Sequence, residues 1–281
     1  MSSPLFAEHS LSRRLERAEG CANAAFVEAR AKIEPGSGAE WRDFGGTYAM
    51  FDTPDSPVTQ TFGLGMFGAV TAAGLDEAEA FFRHRGAPVH HEISPLADKS
   101  VWPLIFDRRY RPLEFTSLLF LELRNVAPPE GAATPVRVRV ANAAEAALWA
   151  ATAAHGWNGD HPEMAEALDP LMRTVFHVAG VTHFFAERDG RPVGTAALNI
   201  QNGVALLAGA STIPEARRQG AQRALLAARL QFAAEAGCDL ATMGAEPGSA
   251  SQRNAERAGF RIAYTRTKWC LPTSPPFADT V

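Results

Sequence analysis

The chain has 281 residues, 46% of them hydrophobic and 21% charged, with a net charge of −4. That is long enough to bury the core of one large or two small domains, and the acidic balance argues against a nucleic-acid partner, which would need a basic face. Cys21, Cys238 and Cys270 fall at unrelated spacings that suit neither a disulfide framework nor a metal site, so a cytoplasmic protein with reduced thiols and no metal is expected. Met1 to Ser10 lack a signal pattern, and no apolar run approaches the ~20 residues of a membrane span.

Residues 10–33 carry Leu11, Leu15, Ala18, Ala22, Ala25 and Phe26 along one helical face, ended by Pro35-Gly36-Ser37-Gly38. Strands are expected at 46–51 and 57–66, a helix at 75–85, a strand at 89–93, a helix at 98–107 and a long strand at 114–123. Ala127-Pro128-Pro129-Glu130-Gly131 reads as a linker. A strand at 136–140 and an Ala-rich helix at 143–154 follow. The helix at 162–177 should divide or kink at Pro170. Strands at 182–187, 193–200 and 204–210 lead to a helix that begins after Gly220 and is ended by Gly237, with Leu225, Leu226, Leu230, Phe232 and Ala233 on one face and Arg229, Gln231 and Glu235 opposite. A strand at 239–245, a short helix at 251–257 and a strand at 261–270 complete the pattern, before an irregular tail, 272–281.

The order repeats. Helix, Gly86, strand, short helix, Tyr110-Arg111 and long strand match helix, Gly237, strand, short helix, Phe260-Arg261 and long strand. The expected fold class is α+β, in two tandem domains spanning 1–130 and 131–271, each a mixed, mostly antiparallel sheet flanked by helices.

Between the strand ending near Ala210 and the helix from Ala221 lies Ser211-Thr212-Ile213-Pro214-Glu215-Ala216-Arg217-Arg218-Gln219-Gly220-Ala221-Gln222-Arg223. The first amides of that helix lack internal partners and lie at its positive dipole end, Gly220 opens the backbone to close approach, and Arg217, Arg218 and Arg223 add positive charge. Such a turn can cradle a phosphate, although a basic helix start alone is a weak signal. The first copy has Val70-Thr71-Ala72-Ala73-Gly74-Leu75-Asp76-Glu77 there, and Asp76, Glu77 and Glu79 would repel a pyrophosphate.

Taken with the short helix near 251–257, which bears Asn254 and ends in Gly259-Phe260, the pattern Arg217-x-x-Gly220-x-Gln222 resembles the GNAT superfamily of acyl-CoA-dependent N-acetyltransferases over roughly residues 135–271; Gln222 departs from the Gly or Ala of the motif's last place. The resemblance implies a tandem GNAT arrangement with a degenerate first domain. It also implies acetyl-CoA as cosubstrate, its pantetheine lying between splayed strands at 204–213 and 239–245. Backbone amides near Ser211, Thr212 and Ile213 would hold the arm and polarise the acetyl carbonyl, and the pyrophosphate would rest on amides of Gln219, Gly220, Ala221, Gln222 and Arg223. Asn254 would bond the arm, with Ser249 or Ser251 nearby. Ala255 stands where many relatives keep a Tyr that protonates the departing sulfur.

The strand before the turn has no Glu between Val204 and Pro214, so the expected bases are Glu246, then His155 and Asp160 with His161. The expected partner is a small-molecule amine, with no membrane; a homodimer is left open. Two other readings remain: a catalytically weak CoA-binding regulator, or a modifier of a protein or tRNA amine docked on the N-terminal domain.

Overall fold

A computed structural model describes residues 5–125, 135–159 and 165–272. In chain order the elements are α1 (His9–Ile33), β1 (Glu40–Phe44), β2 (Thr47–Phe51), β3 (Gln60–Phe62), α2 (Ala72–Arg83), β4 (Val89–Ile93), α3 (Val101–Asp107) and β5 (Arg111–Glu122). They continue as β6 (Val136–Val140), α4 (Ala146–Asn158), α5 (Ala165–Phe176), β7 (Val181–Arg188), β8 (Arg191–Gln201) and β9 (Val204–Thr212). The last are α6 (Ala221–Glu235), β10 (Leu240–Ala245), α7 (Ala250–Arg257) and β11 (Arg261–Leu271).

Contacts gather the chain into two units, residues 1–119 with 244–281, and residues 120–243. The expected boundary near residue 130 and the linker at 127–131 lie outside the described residues. The units are not contiguous halves: β11, the final strand, pairs antiparallel with β4, Thr267 opposite Ile93 and Leu271 opposite Val89.

In the first unit the strands run β1-β2-β3-β4-β11-β5. β1–β2, β2–β3 and β4–β11 pair antiparallel, and β3–β4 pairs parallel. β1, too polar to stand out in the sequence, is an edge strand joined to β2 by Gly45-Gly46, both at positive φ (63° and 96°), as a two-residue type I′ hairpin requires. Phe81, Phe82, Leu75, Met66, Ile93, Val101 and Ile105 form its core.

In the second unit the order is β10-β9-β8-β7-β6. β6 to β9 are antiparallel neighbours, and β10 joins β9 in parallel. Asp189-Gly190 and Asn202-Gly203 close the two β7–β8–β9 hairpins with φ of 49°, 72°, 48° and 77°. α4 and α5 pack Trp149, Ala153 and Met172 against Phe185 and Ala197. α5 runs unbroken through Pro170, so the expected division there does not occur.

The repeat is visible in four helix endings. Gly86 and Ala87 donate to Arg83 O and Phe82 O (3.1 and 3.1 Å), as Gly237 and Cys238 donate to Ala234 O and Ala233 O (3.0 and 3.0 Å). Arg109 and Tyr110 donate to Phe106 O and Ile105 O (2.9 and 3.0 Å), as Gly259 and Phe260 donate to Glu256 O and Ala255 O (2.9 and 3.1 Å). All four are Schellman closures, and each turns the chain directly into a strand.

Candidate functional site

The second unit departs from a regular sheet along β9. Ala197 opposes Ala208 and Thr195 opposes Ser211, so three steps on β9 face two on β8. The extra residue is a bulge, with Gly209 at φ 59°. On its other edge β9 pairs with β10 only where Val204, Ala205 and Leu206 face Leu240, Ala241 and Thr242. Beyond Leu206, β9 runs on as a parallel edge that β10 no longer covers, the splay the resemblance implies.

Past the bulge the strand is clamped. Ser211 and Thr212 are buried; Ser211 Oγ donates to Ala153 O (3.1 Å) and lies 3.2 Å from Thr195 Oγ1. α4 approaches so closely that a Cβ on Gly156 would lie 2.5 Å from Ser211 Oγ and 3.0 Å from Thr212 N. Ile213 N–H donates to Val193 O at 3.1 Å. By the alternation of an antiparallel ladder, Thr212 N–H then points away from β8. The three expected arm-holding amides are therefore not equivalent: that of Ile213 is spent inside the sheet.

The strand leaves through a 3₁₀ turn, Pro214–Ala216, and enters α6 through two left-handed residues, Arg218 at φ 61° and Gly220 at φ 89°. Alternating hands aim successive N–H groups into one concavity. Among the described residues, the N–H groups of Gln219, Gly220, Ala221, Gln222 and Arg223 make no hydrogen bond, because α6 begins there. Arg218 and Arg223 are exposed and make no ion pair among the described residues. Arg217 is turned inward instead, Nη2 donating to Gly156 O (3.0 Å) and Nε to Thr212 O (3.4 Å). Gln222 Nε2 donates to Thr212 Oγ1 (2.8 Å), and Gln219 Nε2 donates to Glu215 O (3.2 Å) while its Oε1 accepts from Arg188. Arg217 and the two glutamines brace the turn, leaving its amides and two arginines to face outward.

Arg229 does not belong to the solvent face of α6. It is 3% exposed, with Nη1 donating to both Ala197 O (3.2 Å) and Ala208 O (3.3 Å). Burial pulls its guanidinium down to about 9.

Among the expected bases, His155 lies in the last turn of α4, 3.7 Å from Glu215, both side chains about half exposed or more; Asp160 and His161 lie outside the described residues. Glu246, Ser249, Ser251 and Asn254 belong to the first unit. Ser249 is the N-cap of α7, accepting from Gln252 N–H at 3.1 Å; Glu246, Ser251 and Asn254 are exposed, and Ala255 is packed at 1% exposure.

At the corresponding helix start of the first unit, Thr71 Oγ1 takes the Gly74 N–H (3.1 Å), and Asp76 pairs with Arg108 at 2.8 Å. Glu79, expected with Asp76 and Glu77 to repel a pyrophosphate, is buried and bonded by Arg83, Arg108 and Tyr110. Among the described residues no three His, Cys, Asp or Glu side chains converge as a metal site.

The model of the acetyltransferase (GNAT) family matches residues 141–260. Among solved structures, the chain resembles a GCN5-related N-acetyltransferase from Kribbella flavida, with 22% identity, 89% of this chain and 96% of that one covered, and a TM-score of 0.64. It resembles a functionally unknown conserved protein from Staphylococcus epidermidis at 8% identity, with 85% and 96% covered and a TM-score of 0.59. It also resembles a tandem GNAT protein from the clavulanic acid biosynthesis pathway at 14% identity, with 98% of each chain covered and a TM-score of 0.58. A search of curated protein sequences finds no match. At these identities the structures speak for the fold, and the family model for residues 141–260. The chain therefore has the tandem GNAT fold, and its residues 141–260 match the model of the GNAT acetyltransferase family.

Proposed function

We propose that the chain is an N-acetyltransferase that moves the acetyl group of acetyl-CoA directly to the amine of a small molecule. The observation that carries this reading is the row of five uncommitted amides, Gln219 to Arg223, at the start of α6, beside the stretch of β9 that β10 leaves uncovered. Amides at a helix N-terminus suit a pyrophosphate, and Arg218 and Arg223 add cationic charge at the same turn. The outward Thr212 N–H is placed on the open strand, where it would hold the arm or polarise a carbonyl. Acetyl-CoA, when bound, supplies the activated thioester.

The amine nitrogen forms the new C–N bond as the C–S bond breaks, and the proton it carries must pass to a base. An alkylamine with a pKa near 10.4 is neutral only about once in 2,500 at pH 7, a cost of about 4.6 kcal/mol. His155 and Glu246 are the described candidates for that proton, and water supplies one to the sulfur. Ala255 has none to give. No helix among the described residues is long and apolar enough to cross a membrane, and we place the reaction in the cytoplasm.

Thiol release from acetyl-CoA, followed across amines, amino acids, aminoglycosides and peptides, tests the reading. Acceptor-dependent release, lowered in Glu246→Gln or His155→Ala, supports it. Tight acetyl-CoA binding with no release for any acceptor would favour a regulator.

A further inference from the structure

Within the acyl-transfer reading, we propose that Arg229 is a positioning residue: its buried guanidinium holds the β9 bulge in the shape that aims Thr212 and its neighbours at the acyl arm.

A bulge interrupts the ladder and leaves carbonyls without strand donors, and a buried carbonyl needs one. Here the two carbonyls flanking the irregularity, Ala197 O on β8 and Ala208 O on β9, both accept from one nitrogen, Arg229 Nη1, at 3.2 and 3.3 Å. Nε returns to Leu225 O of the same helix at 3.3 Å, which fixes the head of the side chain against α6. No carboxylate forms an ion pair with Arg229 among the described residues, although it is 3% exposed. Burying a cation without a counter-ion costs several kcal/mol, and two neutral carbonyls offset that only in part. A serine or glutamine could donate to a carbonyl at lower cost. What the planar guanidinium adds is a head anchored by Nε on α6 while the two hydrogens of Nη1 reach both strands. The held segment leads within a few residues to Ser211, clamped by Ala153 O, and to Thr212, whose N–H faces the open edge. The bulge is thus pinned from below by α6 and from the side by α4, and these two contacts fix where the outward amides point.

A merely structural arginine and a positioning one respond differently to Arg229→Met, which keeps length and apolar volume but removes the charge. Replacing a buried charge with a packed hydrophobe is often neutral or stabilising. We expect the full chain with Arg229→Met to keep a melting temperature near wild type, relief of the buried cation offsetting the two carbonyls left without a donor. Hydrogen exchange of the amides from 208 to 212 should speed up by about tenfold or more. CoA affinity, set at the α6 turn, should change little, while kcat for the best acceptor should fall by up to about 10²-fold, the scale of an ångström-level misplacement. Arg229→Lys, which keeps the charge but loses the second anchor that Nε makes to Leu225 O, should fall between the two.

Unchanged exchange and unchanged kcat in Arg229→Met would overturn the proposal. So would a lower melting temperature with turnover per folded molecule intact. Should the Met variant fail to fold, Arg229→Lys decides: exchange and kcat identical to wild type would overturn it. The exchange measurement needs no substrate. If the wild-type chain acetylates nothing, transfer fails as a reading while the exchange rates still decide whether Arg229 holds the bulge.

Discussion

The hydroxyl of Tyr264 donates a 2.8 Å hydrogen bond to Glu16 Oε1, and both side chains are buried, Tyr264 on β11 and Glu16 on α1. Arg266, two residues on, forks onto Glu19 (2.7 and 2.7 Å), lies 3.5 Å from Glu16 and approaches Glu92 at 2.9 Å. Tyr264 is therefore a member of a buried ionic cluster of the first unit, with its proton committed to a carboxylate. Tyr264→Phe should leave turnover near wild type and cost about 1–3 kcal/mol of stability, the penalty of an unsatisfied buried acceptor.

The pH dependence of that loss is specific. Burial, opposed by Arg266 and by the Tyr264 hydrogen bond, raises the Glu16 carboxyl from 4.5 to about 6. A raised carboxyl favours the folded state while protonated, so its contribution is present below about 4.5 and is lost as pH rises through about 6. Removing the Tyr264 hydroxyl raises the group further. The difference in melting temperature between wild type and Tyr264→Phe should therefore be larger at pH 8 than at pH 5. An equal difference at both would mean that the hydrogen bond does not depend on Glu16 being ionised.

His91 pulls the other way in acid. Its Nδ1 lies 2.8 Å from Thr61 Oγ1 and its Nε2 2.9 Å from Tyr110 OH, which itself donates to Glu79 at 2.9 Å. With Tyr110 donating onward, Nε2 must carry the ring proton and Nδ1 accept from Thr61, so the imidazole is held neutral. Burial, helped by His90 and Arg108, lowers it from 6.5 to about 3. A lowered histidine adds stability above about 6.5 that drains away as pH falls toward about 3, because the unfolded chain binds the proton first. Denaturant melts from pH 7 to pH 4 should show stability falling with acid, and His91→Gln should flatten that slope. His183, lowered to about 4 chiefly by burial, should keep part of it.

Much of this was legible in the sequence. The strand at 89–93 and the helix at 10–33 came from apolar spacing, and the glycines at 86 and 237 marked equivalent helix ends. β1 was not, because Glu40-Trp41-Arg42-Asp43-Phe44 is an exposed edge whose partner makes it a strand, although Gly45-Gly46 was a readable hairpin turn. Arg229 was misplaced because charge on a helix ordinarily means solvent, and only the bulge, a feature of pairing, creates its carbonyl acceptors. Arg217 matched a motif, yet which arginine of Arg217-Arg218 turns inward depends on the left-handed backbone at Arg218. That β11 would lie beside β4 had no local signal at all.

The turn predicts a division of labour among its arginines. Arg218→Glu should weaken acetyl-CoA binding by about tenfold or more at low salt, with the gap narrowing as salt screens the exposed charge. Arg217→Ala should act through stability, losing about 1–3 kcal/mol as buried carbonyls lose their donor. Asp76→Ala, in the first unit, should leave affinity unchanged. Titration calorimetry across a salt series checks all three and should return one acetyl-CoA per chain; two would show that the helix start capped by Thr71 also binds.

Gly156 gives the sharpest test of the clamp on β9. Two effects oppose each other in Gly156→Ala. Alanine in place of glycine within a helix is worth about 1 kcal/mol in favour of α4. Against that, the new methyl would lie 2.5 Å from Ser211 Oγ, 2.7 Å from Ser211 Cβ and 3.0 Å from Thr212 N. Overpacking of this kind typically costs about 1–3 kcal/mol. Backbone stands behind one of the three contacts and the chain is buried on both sides, so overpacking should win. We expect a net loss of stability, and a fall in kcat larger than that loss explains, because relief requires α4 to retreat or Thr212 to move. Ser211→Gly removes the two side-chain contacts. The double variant should therefore recover part of the stability lost in Gly156→Ala, a non-additivity expected of touching residues. Strict additivity of the two substitutions, measured by thermal melts of both single variants and the double, would mean that α4 does not press on β9 there.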